Sequence, residues 1–266
     1  MKIEIIVTTM HQTDFSILDK MKIDSDVIIA NQADRNEFAT KQLANGKAMM
    51  ITSTTRGLSK NRNIGLEFVD KDTDFVMFAD DDLVFDDGYI HKIKKELEKH
   101  PEADAIKFNL YNISKTRQIS MGTIKKWSKA NRRSVSSSGV CGAAIKYNSI
   151  VKYNLHFNEY FGTGTTNYCG EDSIFLQDII SNRIQLYLSP VTIAGIDQTE
   201  SSWFQGHNEK YFTVAGMVLA VIFPKLAFLL AIRSAYRFSK REDTNMKFLS
   251  ILKAYYKGII SYKQRI

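Results

Sequence analysis

Cysteine is scarce in this chain. Cys141 and Cys169 are the only two among 266 residues, and they lie far apart without CxxC spacing. This pattern argues against a disulfide framework and against a zinc site, and a reducing cytosol fits it best. The first residues, MKIEIIVTTM, have only a short apolar run and no small-residue cleavage site, so we do not expect a signal peptide there. We interpret that stretch as a first strand.

Patterns typical of nucleic-acid-binding proteins are missing as well, although the net charge is +7. Residues 233–266 hold nine Lys or Arg against two acids, which accounts for the whole excess. The preceding part is neutral overall and has no helix-turn-helix, zinc-finger or RNP-type pattern. We therefore expect no nucleic-acid partner, and a membrane surface or an anionic lipid is the better partner for the basic end.

Apolar runs typical of strands alternate with helical patterns along the first half of the chain. The strand-like runs are IEIIVTT (3–9), DVIIANQ (26–32), AMMITST (48–54), FVMFADD (75–81) and DAIKFNL (104–110). Helical patterns follow the third and fourth runs, at 58–69 and 88–101, and another begins at EDSIFLQDIISN (171–182). The region 111–170 is expected to be partly extended, with long functional loops. The alternation predicts an α/β fold with a mostly parallel sheet flanked by helices, and with ligands at the carboxyl ends of the strands.

Three consecutive carboxylates, Asp80, Asp81 and Asp82, follow the apolar run FVMFA. Hard cations such as Mg²⁺ or Mn²⁺ prefer oxygen ligands, so a divalent metal site is one interpretation. A solvated acidic turn, extended by Asp86 and Asp87, is the other. The buried strand before the carboxylates favours the metal, because it fixes them at a sheet edge.

The sequence resembles family 2 of the inverting glycosyltransferases, which use nucleotide-sugar donors and have the GT-A fold, a Rossmann-like, mostly parallel sheet between helices. Four segments carry the resemblance in the family's order: VTT (7–9), GLSKNRNIGLEF (57–68), FADDD (78–82) and FNEYFGTGTTNYCGEDSIFL (157–176). The resemblance implies a catalytic domain at 1–205, with a nucleotide half at about 1–110 and an acceptor half at about 111–205.

The resemblance also implies roles for residues that match its motifs. Residues bordering the nucleotide would be Thr8, Thr9, Asn31, Gln32, Arg62 with Asn63 beside it, Asp80 and Asp81. The ADDD segment resembles the family's DxD-type motif, so Asp80, Asp81 and Asp82 would form a Mn²⁺ or Mg²⁺ site, with Asp80 toward the ribose or sugar. Taken without the other motifs, Arg62 would be interpreted as a surface arginine on a helix.

The segment GED (170–172) resembles the family's acidic pair on the acceptor side. Inverting transfer needs a base across the sugar from the metal, and we assign that role to Asp172, with Glu171 binding the acceptor or orienting a neighbour. The alternative is an acidic pair that only complements a helix dipole.

Further candidates lie in the loops of the acceptor half. Gly164, Gly170 and Trp203 would shape the donor-sugar or acceptor loop. Aromatic residues that could stack on a sugar, or simply pack, are Phe161, Tyr168 and Trp203. The histidine that relatives place as a further metal ligand is missing from IAGIDQTESSW (193–203), so Asp197, His207 or neither would take its place.

The last part of the chain, 206–266, is predicted to be a helical, basic, membrane-associating extension. The apolar stretch 214–232 approaches the length of a membrane span, but Pro224 and Lys225 at its centre favour two shorter helices. In 245–266, a helical projection places apolar residues on one side and lysines opposite, a pattern of interfacial helices; the apolar set is Phe248, Ile251, Leu252, Tyr255, Ile259 and Tyr262. Alternatively, these helices cover the catalytic domain or form a homo-oligomer.

Together these features predict an inverting glycosyltransferase that uses a nucleotide-sugar donor, with UDP as the favoured nucleotide. The predicted acceptor is a glycan linked to polyprenyl diphosphate, and the product would serve surface polysaccharide synthesis. The enzyme would act in the cytoplasm, peripherally on the inner membrane face. The alternative is a non-catalytic, membrane-associated module that binds nucleotide sugars or glycans. A sugar-nucleotide pyrophosphorylase is disfavoured, because VTTMHQTDF (7–15) lacks the glycine-rich loop of that class.

Overall fold

The computed structural model describes residues 1–114, 123–136, 138–197, 199 and 206–265. Within these residues, ten strands form one sheet. The strands are β1 (Ile3–Met10), β2 (Val27–Gln32), β3 (Glu37–Gln42), β4 (Lys47–Ser53), β5 (Phe75–Asp80), β6 (Leu83–Phe85), β7 (Ala105–Asn112), β8 (Ser128–Lys129), β9 (Ala143–Lys146) and β10 (Leu186–Ile196).

Nine helices accompany the sheet in the same described part of the chain. They are α1 (Ser16–Met21), α2 (Leu58–Glu67), α3 (Tyr89–Lys99), α4 (Arg132–Val135), α5 (Tyr147–Lys152), α6 (Glu171–Ser181), α7 (Glu209–Ile222), α8 (Ala227–Phe238) and α9 (Phe248–Lys263).

The sheet runs in the order β3-β4-β2-β1-β5-β9-β7-β10-β6, with β8 paired to β10. β4, β2, β1 and β5 pair in parallel, as do β7 and β10, while β9 runs antiparallel between these two blocks. Apolar residues of β1, β2 and β5 are buried on both faces, as expected for parallel strands covered by helices. The predicted α/β fold with a mostly parallel sheet is confirmed.

The sequence patterns found the five long runs and three helices but missed the other five strands of the described sheet, which are β3, β6, β8, β9 and β10. β3 is exposed along most of its length, so no alternation of buried and exposed residues marks it. β6 has three residues and β9 has four, which is too short for a periodic signal. β10 is the longest strand, and its ladder with β7 is interrupted by register shifts at Leu188–Thr192 and Thr192–Ala194.

The C-terminal helices α7, α8 and α9 pack together. The break between α7 and α8 falls at Phe223–Leu226, so the two shorter helices predicted around Pro224 and Lys225 are confirmed. Gly216 of α7 lies directly against the backbone of Tyr255 in α9, and the glycine there leaves room for the close helix crossing.

The interfacial interpretation of the last helix is wrong. The apolar face of α9 points into the bundle, where Ile251, Tyr255 and Ile259 are almost fully buried against α7 and α8. That face is therefore part of an intramolecular core. In the residues the structure describes, no helix combines the length and the apolar character that crossing a bilayer requires.

The bundle also packs against the loop before α6 and the first turns of α6. Phe161 and Ile174 form one apolar cluster with Val214 and Met217 of α7, and the ring of Tyr262 in α9 lies 6.1 Å from that of Phe161. The bundle thus covers part of the domain that precedes it, as one alternative from the sequence proposed.

Candidate active site

The acidic residues 80–82 lie where β1 and β5 end side by side. Thr8 of β1 is in register with Asp80 of β5. The Thr8 hydroxyl donates to Asp80 Oδ1 at 2.8 Å, and the Thr9 hydroxyl donates to Asp81 Oδ2 at 2.7 Å. Two predicted nucleotide-binding threonines therefore orient two of the three carboxylates.

Helix α2 buries its polar side, in contrast to an ordinary surface helix. Its apolar residues gave a moderate helical period, but the side chains that it buries are those of Ser59, Asn61 and Arg62. Gly65 allows this close approach, because a side chain there would collide with Ile6 of β1. Arg62 is only 1% exposed, which rules out the interpretation of Arg62 as a surface arginine.

The Arg62 guanidinium joins two acidic sites that are remote in sequence. Nη2 donates to Asp80 Oδ1 at 2.9 Å and to Oδ2 at 3.1 Å, and Nη1 donates to Asp172 Oδ1 at 2.5 Å. Glu171 Oε1 lies 4.0 Å from Nη1. A planar guanidinium with several fixed donors suits such bridging better than a lysine ammonium would.

The charges in this cluster shift each other's protonation. Burial alone would favour the neutral carboxyl of Asp80, but the adjacent guanidinium and the hydrogen bonds from Arg62 and Thr8 hold its pKa below the ordinary value. Burial also disfavours the charge on Arg62, yet Asp172 and Asp80 keep its pKa above the ordinary value. At neutral pH the cluster therefore contains a charged Arg62 beside an ionised Asp80.

Asp82 has a different environment. Its Oδ1 is buried without a hydrogen-bond partner among the described residues. Burial, followed by repulsion from Asp80 and Asp81, raises the pKa of Asp82 to about 7. A buried, unpartnered carboxylate oxygen beside two further carboxylates fits a hard divalent cation. Within the described ranges, however, no group of three His, Cys, Asp or Glu is already arranged to hold a metal.

The two candidates for a further metal ligand lie in different places. The backbone N–H of Asp197, just beyond β10, donates to the Asp82 carbonyl oxygen at 2.8 Å, and its side chain accepts from Ser114 Oγ at 3.0 Å. His207 instead lies among aromatic rings of the C-terminal bundle, with Nδ1 3.3 Å from Asp243 Oδ2. The structure brings Asp197 to the acidic residues and places His207 with the bundle.

Glu171 and Asp172 form the first turn of α6, where acidic side chains interact favourably with the helix dipole. Glu171 is 8% exposed, and its Oε2 is buried without a partner among the described residues. Burial, together with the charge of Asp172, raises the pKa of Glu171 to about 8. Asp172 is more open, with a side chain 24% exposed and its Oδ2 next to Gly139. Of the pair, Asp172 is therefore the carboxylate that an incoming molecule can reach.

Comparison with known proteins identifies the family. The profile of glycosyl transferase family 2 matches residues 10–167, more than half of the chain. The chain belongs to glycosyl transferase family 2. No curated protein matches this glycosyltransferase in sequence.

Solved structures share the fold of this family 2 glycosyltransferase. It is similar to S. aureus TarS 1-349 in complex with UDP-GlcNAc, with 15% identity and a TM-score of 0.65, covering 99% of this chain and 90% of that one. The same fragment in complex with UDP gives 13% identity and a TM-score of 0.57, covering 100% and 92%. A longer S. aureus TarS structure gives 14% identity and a TM-score of 0.60, covering 91% of this chain and 44% of that one.

The predicted sugar loop of the glycosyltransferase lies against the start of α2. Ser59 Oγ donates to the Phe161 carbonyl at 2.6 Å, and Leu58 N donates to the Thr163 carbonyl at 2.9 Å. Gly164 has a φ of 87°, and a side chain there would press on Gly57. The loop and the helix that carries Arg62 thus form one packed unit.

The aromatic candidates of this loop have different surroundings. Phe161 is fully buried in the apolar cluster with α7, so its ring is unavailable to a sugar and the stacking prediction is wrong for it. Tyr168 is half-buried, with Lys210 Nζ 5.1 Å from its ring centroid. Trp203 lies outside the described residues, and its predicted role stays a prediction.

Three amides of the predicted nucleotide side hold neighbouring segments of the glycosyltransferase in place. Asn31 is buried and exchanges hydrogen bonds with the backbone of Gln12, at 3.0 and 2.9 Å. Gln32 donates to the Gly57 carbonyl at 3.1 Å, and Asn63 donates to the Phe157 carbonyl at 2.9 Å. Their nucleotide contacts stay predictions, while their scaffolding contacts are structural facts.

Gln12 and Lys20 are site residues that the sequence did not reveal. Both line a cavity of about 130 Å³ beside Asp81, and Gln12 Nε2 donates to Thr9 Oγ1 at 3.0 Å. They lie in the β1–α1 segment, which has no motif and no clear period. Only the pairing of β1 with β5 brings this segment to the acidic residues.

A buried cation, Lys107, was also missed. Its ammonium donates to the Cys141 carbonyl, and burial lowers the pKa of Lys107. Cys141 in turn lies beside Arg62, with Sγ 3.9 Å from Nη2. The signal was present, because Lys107 interrupts the apolar part of the run DAIKFNL, which begins with Asp104.

Proposed function

We propose that this family 2 glycosyltransferase is an inverting, divalent-metal-dependent enzyme with a UDP-sugar donor. The observation that supports this most directly is the Arg62 bridge. It places the acidic residues at the end of β5 and the acidic turn of α6 on opposite sides of one guanidinium. An inverting transfer needs two such acidic sites, one for the leaving diphosphate and one for the attacking hydroxyl.

On the donor side, Asp81 and Asp82 would hold Mn²⁺ or Mg²⁺, with Asp80 oriented toward the ribose. A bound cation of this kind would neutralise the charge that develops on the departing diphosphate. Thr8 and Thr9 orient Asp80 and Asp81 through their hydroxyls, so the carboxylates are positioned before a ligand arrives.

On the acceptor side, Asp172 is the proposed base. Its Oδ1 accepts from Arg62, which fixes the carboxylate and leaves Oδ2 for the acceptor proton. The acceptor oxygen forms a bond to the anomeric carbon while the bond from that carbon to the diphosphate oxygen breaks. The bonding pair leaves with the diphosphate, the proton passes to Asp172, and the configuration at the carbon inverts.

The donor assignment has support from similar structures, because TarS structures were determined with UDP-GlcNAc and with UDP. For the acceptor we propose a glycan on polyprenyl diphosphate, used in surface polysaccharide assembly at the inner face of the cell membrane. The concentration of basic residues at 233–266 supports a cytoplasmic enzyme associated peripherally with an anionic surface. Self-association into a homo-oligomer is compatible with this proposal.

The test uses Asp172→Asn together with Asp178→Asn, an exposed carboxylate on the same helix, as the matched control. UDP release from UDP-sugars is measured with Mn²⁺, and UDP affinity is measured by calorimetry. We expect Asp172→Asn to reduce turnover at least about a hundredfold with UDP affinity unchanged, and Asp178→Asn to behave as wild type. Full turnover in Asp172→Asn would overturn the assignment of the base.

The second candidate function is a binding module without catalysis, which the internal pairing of Asp172 with Arg62 would permit. It predicts that wild type binds UDP with Mn²⁺ yet releases none from any UDP-sugar, with or without a lipid-linked acceptor. Product analysis by NMR would separately test inversion, since a retained anomeric configuration contradicts a single displacement.

A further inference from the structure

Helix α8 has its large and small apolar residues on unusual sides. The residues it buries against its neighbours are alanines, Ala227, Ala231 and Ala235. The side it turns outward has Leu229 at 64% and Ile232 at 41% exposed. Helices usually bury their largest apolar side chains, because these gain the most from leaving water. In α8 only alanines are fully buried while Leu229 and Ile232 face outward, so its outer side offers an apolar surface.

The outer surface of α8 is defined here by Leu226, Leu229, Ile232 and Tyr236, together with Arg233 and Arg237. At 100° per residue, Leu229, Ile232 and Tyr236 project to one side, and Arg233 and Arg237 project beside them. Tyr236 is 60% exposed, and both arginines are exposed as well. An apolar stripe with a tyrosine and flanking guanidinium groups is typical of helices that lie in the plane of a membrane interface.

Along α8 and the segment that precedes it, the charged residues have one sign. Between Lys210 and Arg241 the sequence contains no Asp or Glu, and Lys225 and Lys240 extend the basic flank. Basic residues near a bilayer are attracted to anionic headgroups, and the attraction adds up over neighbouring residues. The complementary surface is therefore apolar within and negatively charged at its boundary, as an anionic bilayer is.

A second copy of the chain fits this surface less well. In a two-fold symmetric dimer the same surface meets itself, so the arginines of one copy would approach those of the other. Like charges placed together across an interface oppose association. Charge complementarity thus selects the lipid over a second copy.

We propose that the outer surface of α8 docks the enzyme on anionic lipid, with Leu229, Ile232 and Tyr236 entering the interface and Arg233 and Arg237 contacting headgroups. This deepens the proposed function, on which it rests for the choice of a membrane-bound acceptor. α7 connects the docking bundle to the acceptor side, because Val218 packs directly against Gly170, the residue before Glu171. This surface takes the membrane-contacting role that the sequence pattern suggested for α9, because the apolar side of α9 is buried inside the bundle.

The experiment is sedimentation of the full chain with phosphatidylglycerol vesicles and with phosphatidylcholine vesicles at low salt. The apolar variant is Leu229→Ser with Ile232→Ser, and the charge variant is Arg233→Gln with Arg237→Gln. Val151→Ser is the matched control, because Val151 is 59% exposed on α5, outside the bundle. We expect each double variant to lower the partition onto phosphatidylglycerol about tenfold or more, and the control to bind as wild type.

In the vesicle assay, three outcomes would overturn the docking surface. Wild type could remain in solution with phosphatidylglycerol, it could bind both lipids equally, or the apolar double variant could bind as wild type does. Light scattering tests whether a second copy covers this surface. The proposal is also overturned if wild type is a dimer and does not bind vesicles, while the apolar double variant is a monomer.

UDP release from a soluble UDP-sugar with Mn²⁺ is measured in parallel and is expected to be unchanged in every variant. Loss of vesicle binding with intact UDP release separates failure of docking from failure of the proposed chemistry.

Discussion

Arg62 Nη1 lies 2.5 Å from Asp172 Oδ1, although the two residues are 110 positions apart in sequence. The same guanidinium binds Asp80, so one buried side chain fixes the separation between the carboxylates on the two sides of the site. Removing one partner of a buried ion pair leaves the other charges uncompensated, which makes such pairs sensitive to substitution.

The first prediction concerns this bridge. Arg62→Lys keeps the charge but cannot donate in two directions from one plane, so we expect kcat to fall roughly a hundredfold through misplacement of Asp172. KM for the donor should change less. The control is Arg56→Lys, which should retain wild-type kcat. Arg56 is an exposed arginine just before α2, and it pairs with Asp34. A wild-type kcat in Arg62→Lys would contradict a positioning role.

The second prediction separates a metal ligand from a structural carboxylate. Asp82→Asn removes a buried charge that is repelled by its neighbours, so the metal-free protein should melt at the same temperature or higher. If Asp82 holds the cation, UDP affinity in the presence of Mn²⁺ should fall at least about tenfold. Asp87→Asn, at a carboxylate 93% exposed in the following turn, should change neither quantity. Wild-type affinity in Asp82→Asn would remove this residue from the metal site.

The third prediction follows from Glu171. Its pKa in the folded chain is raised to about 8, above the value of 4.5 expected when unfolded. Between these values the folded state binds the proton and the unfolded state releases it, so this group's contribution to stability falls as the pH rises from about 5 to 8. Glu171→Gln replaces the carboxyl group with an amide, which does not titrate in this pH range. We expect its melting temperature, relative to wild type, to increase by a few degrees, on the order of 2–4 °C per kcal/mol, between pH 5 and pH 8.

Calorimetric melting curves at three pH values would check this. A pH-independent difference between Glu171→Gln and wild type would show that the carboxyl is ionised throughout the range.

The fourth prediction concerns the contact between α7 and Gly170, the residue just before α6. Gly170 has a φ of 105°, and any side chain there would collide with Val218 of α7. Gly170→Ala should therefore cost about 1–3 kcal/mol of unfolding free energy through strain and overpacking, and should also reduce turnover because Asp172 follows closely.

Gly88→Ala is the control for Gly170→Ala. Gly88 also has a positive φ, 70°, but nothing lies within 4 Å of the added methyl group. The Gly88→Ala variant therefore reports the cost of backbone strain alone. Equal losses of stability and turnover in both variants would contradict the role of the α7 contact. Denaturant unfolding and UDP release measure the two quantities.

Much of the central sheet could be predicted from sequence, because strands buried on both faces leave continuous apolar runs, as in β1, β2 and β5. The ends of those runs also showed where Asp80 and its neighbours would lie. β3 and β9 could not be predicted, since an exposed edge strand and a four-residue strand have no distinctive period. Residues in segments without a motif, such as Gln12, become visible only once the strands are paired.

The sequence by itself determined the α/β class, the family resemblance and the identity of the acidic residues, because local apolar patterns and short motifs depend on neighbouring residues. The tertiary structure decided which of those residues meet. It placed Arg62 inside the fold between Asp80 and Asp172, separated Asp197 from His207, and turned the apolar side of α9 inward while leaving that of α8 outside. These outcomes depend on contacts between residues far apart in the chain, and helical period alone cannot tell whether an apolar side faces a core, a partner or a lipid.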